Sequence, residues 1–200
     1  STLPALLEHA EKNLLQFDDV LRTFHVSTVF NGGIDSSVEL GMLLTAKSKT
    51  DLKTDPFLLL KQELSEALRD AGYTLSIDIC KEVPSYASAG RVASLIVEGK
   101  TVGTLFEVHP EVRQKFSLPN RVAALTLNVN ALKEIPALTT VAQVVPEFPS
   151  ITYDTTVEMT HDKSAGALLQ KIAASSKLLE SVAIADVYGK ETGAYKLTLR

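Results

Sequence analysis

Glu107 and His109 are the two residues of this sequence best placed for acid–base chemistry. They stand two positions apart, at the end of an alternating run, Val102–Val108, that predicts a β-strand. Alternate residues of a strand share one face, so the carboxylate and the imidazole could exchange a proton or bind a metal ion together. The alternative is structural: Glu107 fixes a turn, and His109 caps a short helix that Pro110 can begin. We favour this alternative because no nucleophile stands beside the pair, and we predict no catalytic residue and no metal site.

Three other short motifs also have structural explanations. Gly99-Lys100-Thr101 resembles the end of a phosphate-binding loop, but Ser94 stands where that motif needs glycine, and a strand follows instead of a helix. Cys80, the only cysteine, lies on a predicted strand with no nearby histidine, which favours packing over nucleophilic chemistry. His161-Asp162 precedes a predicted helix, where the aspartate is suited to capping.

Cationic and aromatic side chains near the end of the chain are candidates for RNA binding, which needs positive charge beside phosphates and rings that stack on bases. The net charge of −4 excludes a global basic field, so any contact with RNA must be local. The alternative is an ordinary solvated surface, since acidic residues such as Glu158 and Asp186 offset much of the positive charge. The candidates are Lys163, Tyr188, Lys190, Tyr195, Lys196 and Arg200.

Four leucines at helical spacing near the start of the chain share one face of a predicted helix. They are Leu3, Leu6, Leu7 and Leu14. An apolar face of this kind either forms part of a subunit interface or is buried within its own domain, and the sequence leaves both possibilities open.

The pattern of apolar residues predicts an α+β fold whose first domain covers residues 1–133. After the leucine-rich helix, a strand pair turns at Asn31-Gly32-Gly33, because asparagine and glycine tolerate positive φ. Asp55-Pro56 opens a second helix as N-cap and first-turn residue, and Gly72 ends it. The strands that follow complete an antiparallel sheet packed with two helices.

A proline-containing linker is predicted at residues 134–150, which precede a smaller second domain. In residues 151–200 the predicted order is a strand at Ile151–Met159, a helix at about 164–175, and strands at Leu179–Tyr188 and near the end. This β-α-β-β order is three-quarters of a ferredoxin-like βαββαβ unit, so we expect a truncated domain of that fold.

Composition is that of an ordinary globular protein: 45% of the 200 residues are hydrophobic and 22% are charged. A single cysteine excludes an internal disulfide, and a cytoplasmic location is expected. No apolar run approaches the roughly 20 residues that span a bilayer. The chain begins with serine and ends in a strand-like run, so we expect a fragment of a longer subunit.

Several motifs keep the order and spacing of one protein family. The matching residues are Arg22 and Phe24, Leu60-Lys61, Gly90-Arg91, Val102-Gly103, Glu107, His109-Pro110-Glu111-Val112, Phe116 and Phe148-Pro149. In these residues the chain resembles the C-terminal portion of the β subunit of bacterial phenylalanine–tRNA ligase. Tyr153-Asp154 departs from the resemblance, because the family usually has Arg-Asp there.

The resemblance implies a class II synthetase-like module that has lost catalysis, followed by the start of a ferredoxin-fold anticodon-binding domain. It implies assembly with the catalytic α subunit in a heterotetramer and binding of tRNA(Phe). It also implies that the holoenzyme uses ATP and Mg²⁺, although we expect this segment to bind no cofactor itself. The alternative is a free-standing, synthetase-derived adaptor without ligase activity, which the acidic charge and Tyr153 favour.

Overall fold

A computed structural model describes residues 1–14, 16, 20–30, 32, 35–48, 54–138, 148–160, 163–189 and 194–200. The chain divides into two compact units, residues 1–141 and 142–200. Several predictions lie outside the described residues: Asn31 and Gly33 of the predicted turn, His161-Asp162, Lys190, and residues 139–147 of the predicted linker. None of the helices among the described residues is long and apolar enough to cross a membrane.

Unit 1 is built on a six-stranded sheet in which every pair of neighbouring strands is antiparallel. The strand order is β1-β2-β6-β5-β4-β3, so β1 and β3 are the edges. The elements are α1 (Leu3–Asn13), β1 (Val20–Phe30), β2 (Ser36–Ala46), α2 (Pro56–Asp70), β3 (Leu75–Ile79), β4 (Ala87–Val97), β5 (Lys100–Val108), α3 (Pro110–Lys115), β6 (Val122–Asn128) and α4 (Val129–Lys133). The predicted α+β class and antiparallel sheet are confirmed.

The two long helices pack on opposite faces of this sheet. Successive strand residues point to opposite sides, and β5 shows the consequence: Phe106 packs in the cluster that holds the leucines of α1, whereas Leu105 packs with Leu60 and Leu64 of α2. Burial of both faces explains the nearly continuous apolar sequence of β6.

The start of α1 fits tightly against β2. Gly41 lacks a side chain at the contact, and a Cβ atom built there would lie 2.2 Å from the Thr2 hydroxyl oxygen. Glu39 of β2 accepts hydrogen bonds from the Thr2 backbone N–H, at 2.6 Å, and from the Thr2 hydroxyl, at 2.9 Å. A glycine and a carboxylate two positions apart on one strand face therefore fix where α1 begins.

Helix α2 has the end signals that the sequence predicts. The Asp55 side chain accepts a hydrogen bond from the Phe57 backbone N–H at 2.9 Å, and Pro56 occupies the first turn. Gly72 follows the last turn with φ of +83°, a conformation that favours glycine. The Gly72 carbonyl then accepts a hydrogen bond from the Leu138 N–H at 2.7 Å.

Two elements of unit 1 differ from the sequence pattern. That pattern predicts a loop at Val83–Gly90, but β4 begins at Ala87, with a register shift between Ala87 and Val92 where Gly90 adopts φ of +78°. The strand predicted at Arg121–Val129 ends at Asn128, and Val129 begins α4, which the pattern did not predict. The Asn128 side chain caps α4 by accepting a hydrogen bond from the Ala131 N–H at 3.1 Å.

Unit 2 contains a three-stranded antiparallel sheet of order β7-β9-β8. Its elements are β7 (Thr155–Thr160), α5 (Ala165–Ala173), β8 (Ile184–Tyr188) and β9 (Ala194–Leu199). Since β7 and β8 both run opposite to β9, they are parallel to each other with β9 between them, which is the split β-α-β expected of a partial ferredoxin-like fold.

The strands of unit 2 are shorter than predicted. β7 pairs with β9 from Thr155 to Thr160, and this uses all of β9, so Ile151–Asp154 has no partner in that strand. β8 was predicted to begin at Leu179, but it begins at Ile184, the residue that pairs with Leu199 at the end of β9.

Candidate functional site

The acid–base pair predicted from sequence is divided between two structural roles. His109 is the N-cap of α3, and its Nδ1 accepts a hydrogen bond from the Glu111 backbone N–H at 3.3 Å. Glu107 instead binds two arginines. The structural interpretation is thus right for His109, but Glu107 holds neighbouring strands rather than a turn.

Glu107 belongs to an ion cluster, formed by Asp55, Arg91, Glu107 and Arg121, at the start of α2. Its carboxylate accepts hydrogen bonds from Arg121 Nε at 2.9 Å, from Arg121 Nη2 at 2.6 Å and from Arg91 Nε at 3.1 Å. Asp55, the N-cap of α2, binds Arg91 and also accepts from Arg121 Nη2 at 3.1 Å. The Arg91 guanidinium carbon also lies 5.4 Å from the centre of the Phe57 ring.

The cluster is suited to holding strands together and poorly suited to catalysis. Both carboxylates accept hydrogen bonds from the two guanidinium groups, and the Glu107 side chain is only 15% exposed. Burial lowers the pKa of Arg91, but hydrogen bonds and charges from Asp55 and Glu107 outweigh it and raise the pKa above its ordinary value. The two arginines remain charged and bind α2 to β4, to β5 and to the start of β6.

The four leucines that were candidates for a subunit interface lie in the core of unit 1. Leu3, Leu6, Leu7 and Leu14 are 2–5% exposed and pack in the cluster that contains Phe106 and Val122. Of the two possibilities left open by the sequence, the structure shows burial within the same domain. These side chains offer no surface to a partner while the unit is folded.

A different apolar surface is exposed on edge strand β1. Phe24, Val26 and Phe30 share one face of the strand, with Thr28 between the last two, and are 70%, 52% and 70% exposed. On β2, Met42 lies opposite Phe24 and Leu40 lies opposite Val26, and both are partly buried against the α2-side core. The exposed β1 face is therefore continuous with the core, and we call Phe24, Val26 and Phe30 the β1 surface.

Sequence reasoning missed the β1 surface although a signal was present. The strand carries large apolar residues at alternate positions, whereas Leu21 on its other face is already in the core. A groove also lies between α1 and β1, and Phe24 of the β1 surface lines one edge of it. It is lined by Ala5, Leu6, His9, Thr23, Phe24 and His25.

Three of the RNA-binding candidates lie on one face of the unit 2 sheet. Lys196 of β9 stands between Tyr188 of β8 and Glu158 of β7 as a direct cross-strand neighbour of both. Arg200 continues this face by strand alternation, four positions after Lys196, and its guanidinium binds Asp154.

Two more candidates, Tyr195 and Lys163, are not part of that face. Tyr195 lies opposite Met159 and packs against the core cluster of unit 2. Lys163 is exposed in the connection before α5, with its N–H donating to the Thr160 carbonyl at 3.1 Å. Lys190 is outside the described residues.

Carboxylates accompany the cations on this sheet face. A hydrogen bond to Asp186, together with the charge of that carboxylate, raises the pKa of Tyr188. The hydrogen bonds from Arg200 lower the pKa of Asp154, and the same contact raises the pKa of Arg200. Across the described part of the chain, no group of three histidine, cysteine, aspartate or glutamate side chains is arranged to hold a metal ion.

Comparison with known proteins relates this architecture to a family. Residues 1–129, almost the whole of unit 1, match the family model described as the phenylalanyl-tRNA synthetase beta chain CLM domain. The chain belongs to this family. The family that the short motifs indicated is therefore confirmed.

Curated relatives agree with the family match. The phenylalanine–tRNA ligase beta subunit of Symbiobacterium thermophilum is 39% identical over 119 residues, which cover 56% of this chain and 13% of the relative. That of Shouchella clausii is 26% identical over 220 residues, covering 100% of this chain and 27% of the relative. The chain spans about a quarter or less of the length of these relatives.

Solved structures show the fold. A pyrrolysyl tRNA synthetase from Desulfitobacterium hafniense superposes with a TM-score of 0.50 at 12% identity, over 66% of this chain and 48% of that one. A second structure of this enzyme gives the same TM-score. The antiparallel sheet of this family member is thus arranged as in an aminoacyl-tRNA synthetase.

Proposed function

We propose that this chain is a part of a phenylalanine–tRNA ligase β subunit that assembles with the catalytic α subunit and supports binding of tRNA(Phe) during aminoacylation. Family membership supports the first half of this proposal, and the β1 surface is the observation that carries it. An edge strand with two exposed phenylalanines offers both unpaired backbone groups and apolar side chains to a partner.

The holoenzyme of the proposal is a cytoplasmic heterotetramer that uses ATP and Mg²⁺. The described residues hold no group of three histidine, cysteine, aspartate or glutamate side chains that fits a metal ion, so the proposal places Mg²⁺ and ATP with the holoenzyme. We likewise assign no catalytic residue, since the carboxylates of the ion cluster are bound by arginines. The role proposed here is assembly and positioning.

Substitution of the β1 surface tests the assembly role. Phe24→Asp replaces one of the two exposed phenylalanines of the β1 surface by a charge, and we expect binding to the α subunit to weaken about 30-fold or more, as for an aromatic anchor that binding buries. The measurement is titration calorimetry of the 200-residue chain with purified α subunit. The matched control is Ile79→Asp, on opposite edge strand β3, where the side chain is 83% exposed.

Two outcomes would contradict the assembly role: equal loss of affinity in both variants, or full affinity in Phe24→Asp. Filter binding of the same chain to tRNA(Phe) at low salt tests the second half of the proposal. A chain that binds the α subunit but no tRNA would be an adaptor rather than a tRNA-positioning element.

A further inference from the structure

Arg200 and Asp154 form a two-pronged ion pair on the exposed face of the unit 2 sheet. Arg200 Nε lies 2.8 Å from Asp154 Oδ1, and Arg200 Nη2 lies 2.8 Å from Asp154 Oδ2. The parallel N–H donors of a guanidinium fit a carboxylate and a phosphate in the same way. Asp154 therefore occupies the position that a backbone phosphate of RNA would take on Arg200.

The other charges on this sheet face decide how much the contact between Asp154 and Arg200 matters for RNA binding. The sheet face carries three carboxylates and two cations, so its described charges do not sum to a basic patch. They are Asp154, Glu158, Asp186, Lys196 and Arg200. A face with so little positive charge depends on each guanidinium or ammonium group that can reach a phosphate.

We propose that Asp154 is an intramolecular competitor of the RNA phosphate for Arg200, and that it limits the affinity of this chain for tRNA(Phe). The inference rests on the proposed function, because it concerns the tRNA contact of unit 2. Asp154 thereby selects for RNAs whose other contacts are good enough to displace it, and it disfavours nonspecific binding to any polyanion.

Arg200 does not need Asp154 to stay in place. Its backbone N–H donates to the Ala183 carbonyl at 2.9 Å, and its carbonyl accepts from the Ala183 N–H at 2.8 Å. Both side chains of the pair are also substantially exposed, at 59% for Arg200 and 43% for Asp154. Removal of the carboxylate therefore frees the guanidinium without unfolding the strand that presents it.

Acid does not release Arg200 under ordinary conditions. The arginine lowers the pKa of Asp154 below its ordinary value of 3.8, so the carboxylate stays charged throughout the physiological range. The competitor is removed either by substitution or by a phosphate that takes its place.

Asp154→Asn is the direct test, with tRNA(Phe) as the probe and the full 200-residue chain as the protein. Log affinity falls with log salt concentration, and one additional phosphate contact makes this slope steeper by about 0.7–0.9. The same contact corresponds to about five- to eightfold tighter binding at 0.1 M salt. We expect Asp154→Asn to show both the steeper slope and the tighter binding. The charge-matched control is Glu180→Gln, which removes an exposed carboxylate outside the strands of unit 2 and leaves the Arg200 contact intact. We expect its salt slope to equal that of the unmodified chain.

The double variant Asp154→Asn with Arg200→Ala identifies the contact. If the gain comes from Arg200, the double variant loses it and returns to the original salt slope. An Asp154→Asn chain that behaves like Glu180→Gln overturns the proposal, as does a double variant that keeps the gain.

A polyphosphate titration separates failure of this inference from failure of the proposed function. If neither the unmodified chain nor Asp154→Asn binds tRNA(Phe), the proposed tRNA role is refuted. In that case, tighter binding of polyphosphate to Asp154→Asn than to Glu180→Gln still supports competition at Arg200, whereas equal binding overturns it.

Discussion

Replacing Glu107 by glutamine tests whether the ion cluster holds unit 1 together. The substitution keeps the shape of the side chain but removes the charge that two arginines share across three hydrogen bonds of 2.6–3.1 Å. Arg91 and Arg121 would then have only Asp55 as a charged partner within the cluster.

The expected cost follows from the burial of the groups concerned. A charge-assisted hydrogen bond contributes about 1.5–3 kcal/mol, and breaking a fully buried pair costs about 3–5 kcal/mol. Glu107 is 15% exposed, but the arginine side chains are 38% and 42% exposed and can regain water. We therefore expect Glu107→Gln to lower the free energy of unfolding by about 2–3 kcal/mol.

Urea unfolding, monitored by circular dichroism, measures this change as a lower midpoint with an unchanged slope. The matched control is Glu63→Gln, which removes a single contact of 2.8 Å between Arg22 of β1 and Glu63 of α2. That pair is more exposed, so its loss is expected to cost no more than about 1 kcal/mol. If Glu107→Gln costs no more than Glu63→Gln, the cluster does not hold the sheet and our account of Glu107 is wrong.

Two further predictions concern backbone strain and a phenol. Gly72→Ala is expected to lower the free energy of unfolding in urea by about 2–3 kcal/mol, because φ is +83° and the new Cβ would lie 2.6 Å from the Leu138 carbonyl oxygen. The control Gly99→Ala has φ of +76° but open space around the new Cβ, so it is expected to lower that free energy by only about 1 kcal/mol. Equal costs would show that crowding at Leu138 does not matter. Ultraviolet titration should place the pKa of Tyr188 above 10.0, since the phenolate forms beside the Asp186 carboxylate, and Asp186→Asn should lower it; a Tyr188 pKa that does not respond would contradict this cause.

Local signals in the sequence predicted the elements whose ends are fixed by neighbouring residues. Asp55 and Pro56 at the start of α2, and Gly72 after its last turn, act within one turn of the helix they cap. His109 is of the same kind, because its cap bond reaches only two residues along the chain. Such interactions are determined by adjacent residues, so a linear sequence is enough to find them.

The candidate sites were harder to predict because they depend on which strands become neighbours. The leucine face of α1 has the same pattern whether it is buried or exposed, and only the position of the sheet against it decides the outcome. The apolar face of β1 was available in the sequence, but its exposure follows from the place of β1 at the edge. Tyr195 and Lys196 are adjacent in sequence, yet strand alternation directs one to the core and the other to solvent.

The sequence alone determined the family, the α+β class, the antiparallel character of the sheet and the capped helices, because each of these follows from patterns of residues that lie close together in the sequence. The tertiary structure alone decided that Asp55, Arg91, Glu107 and Arg121 meet in one cluster, although 66 positions separate the first from the last. It also paired Asp154 with Arg200, which lie 46 positions apart. Contacts of this length depend on strand order and register, since these set which distant side chains come within a few ångströms of each other.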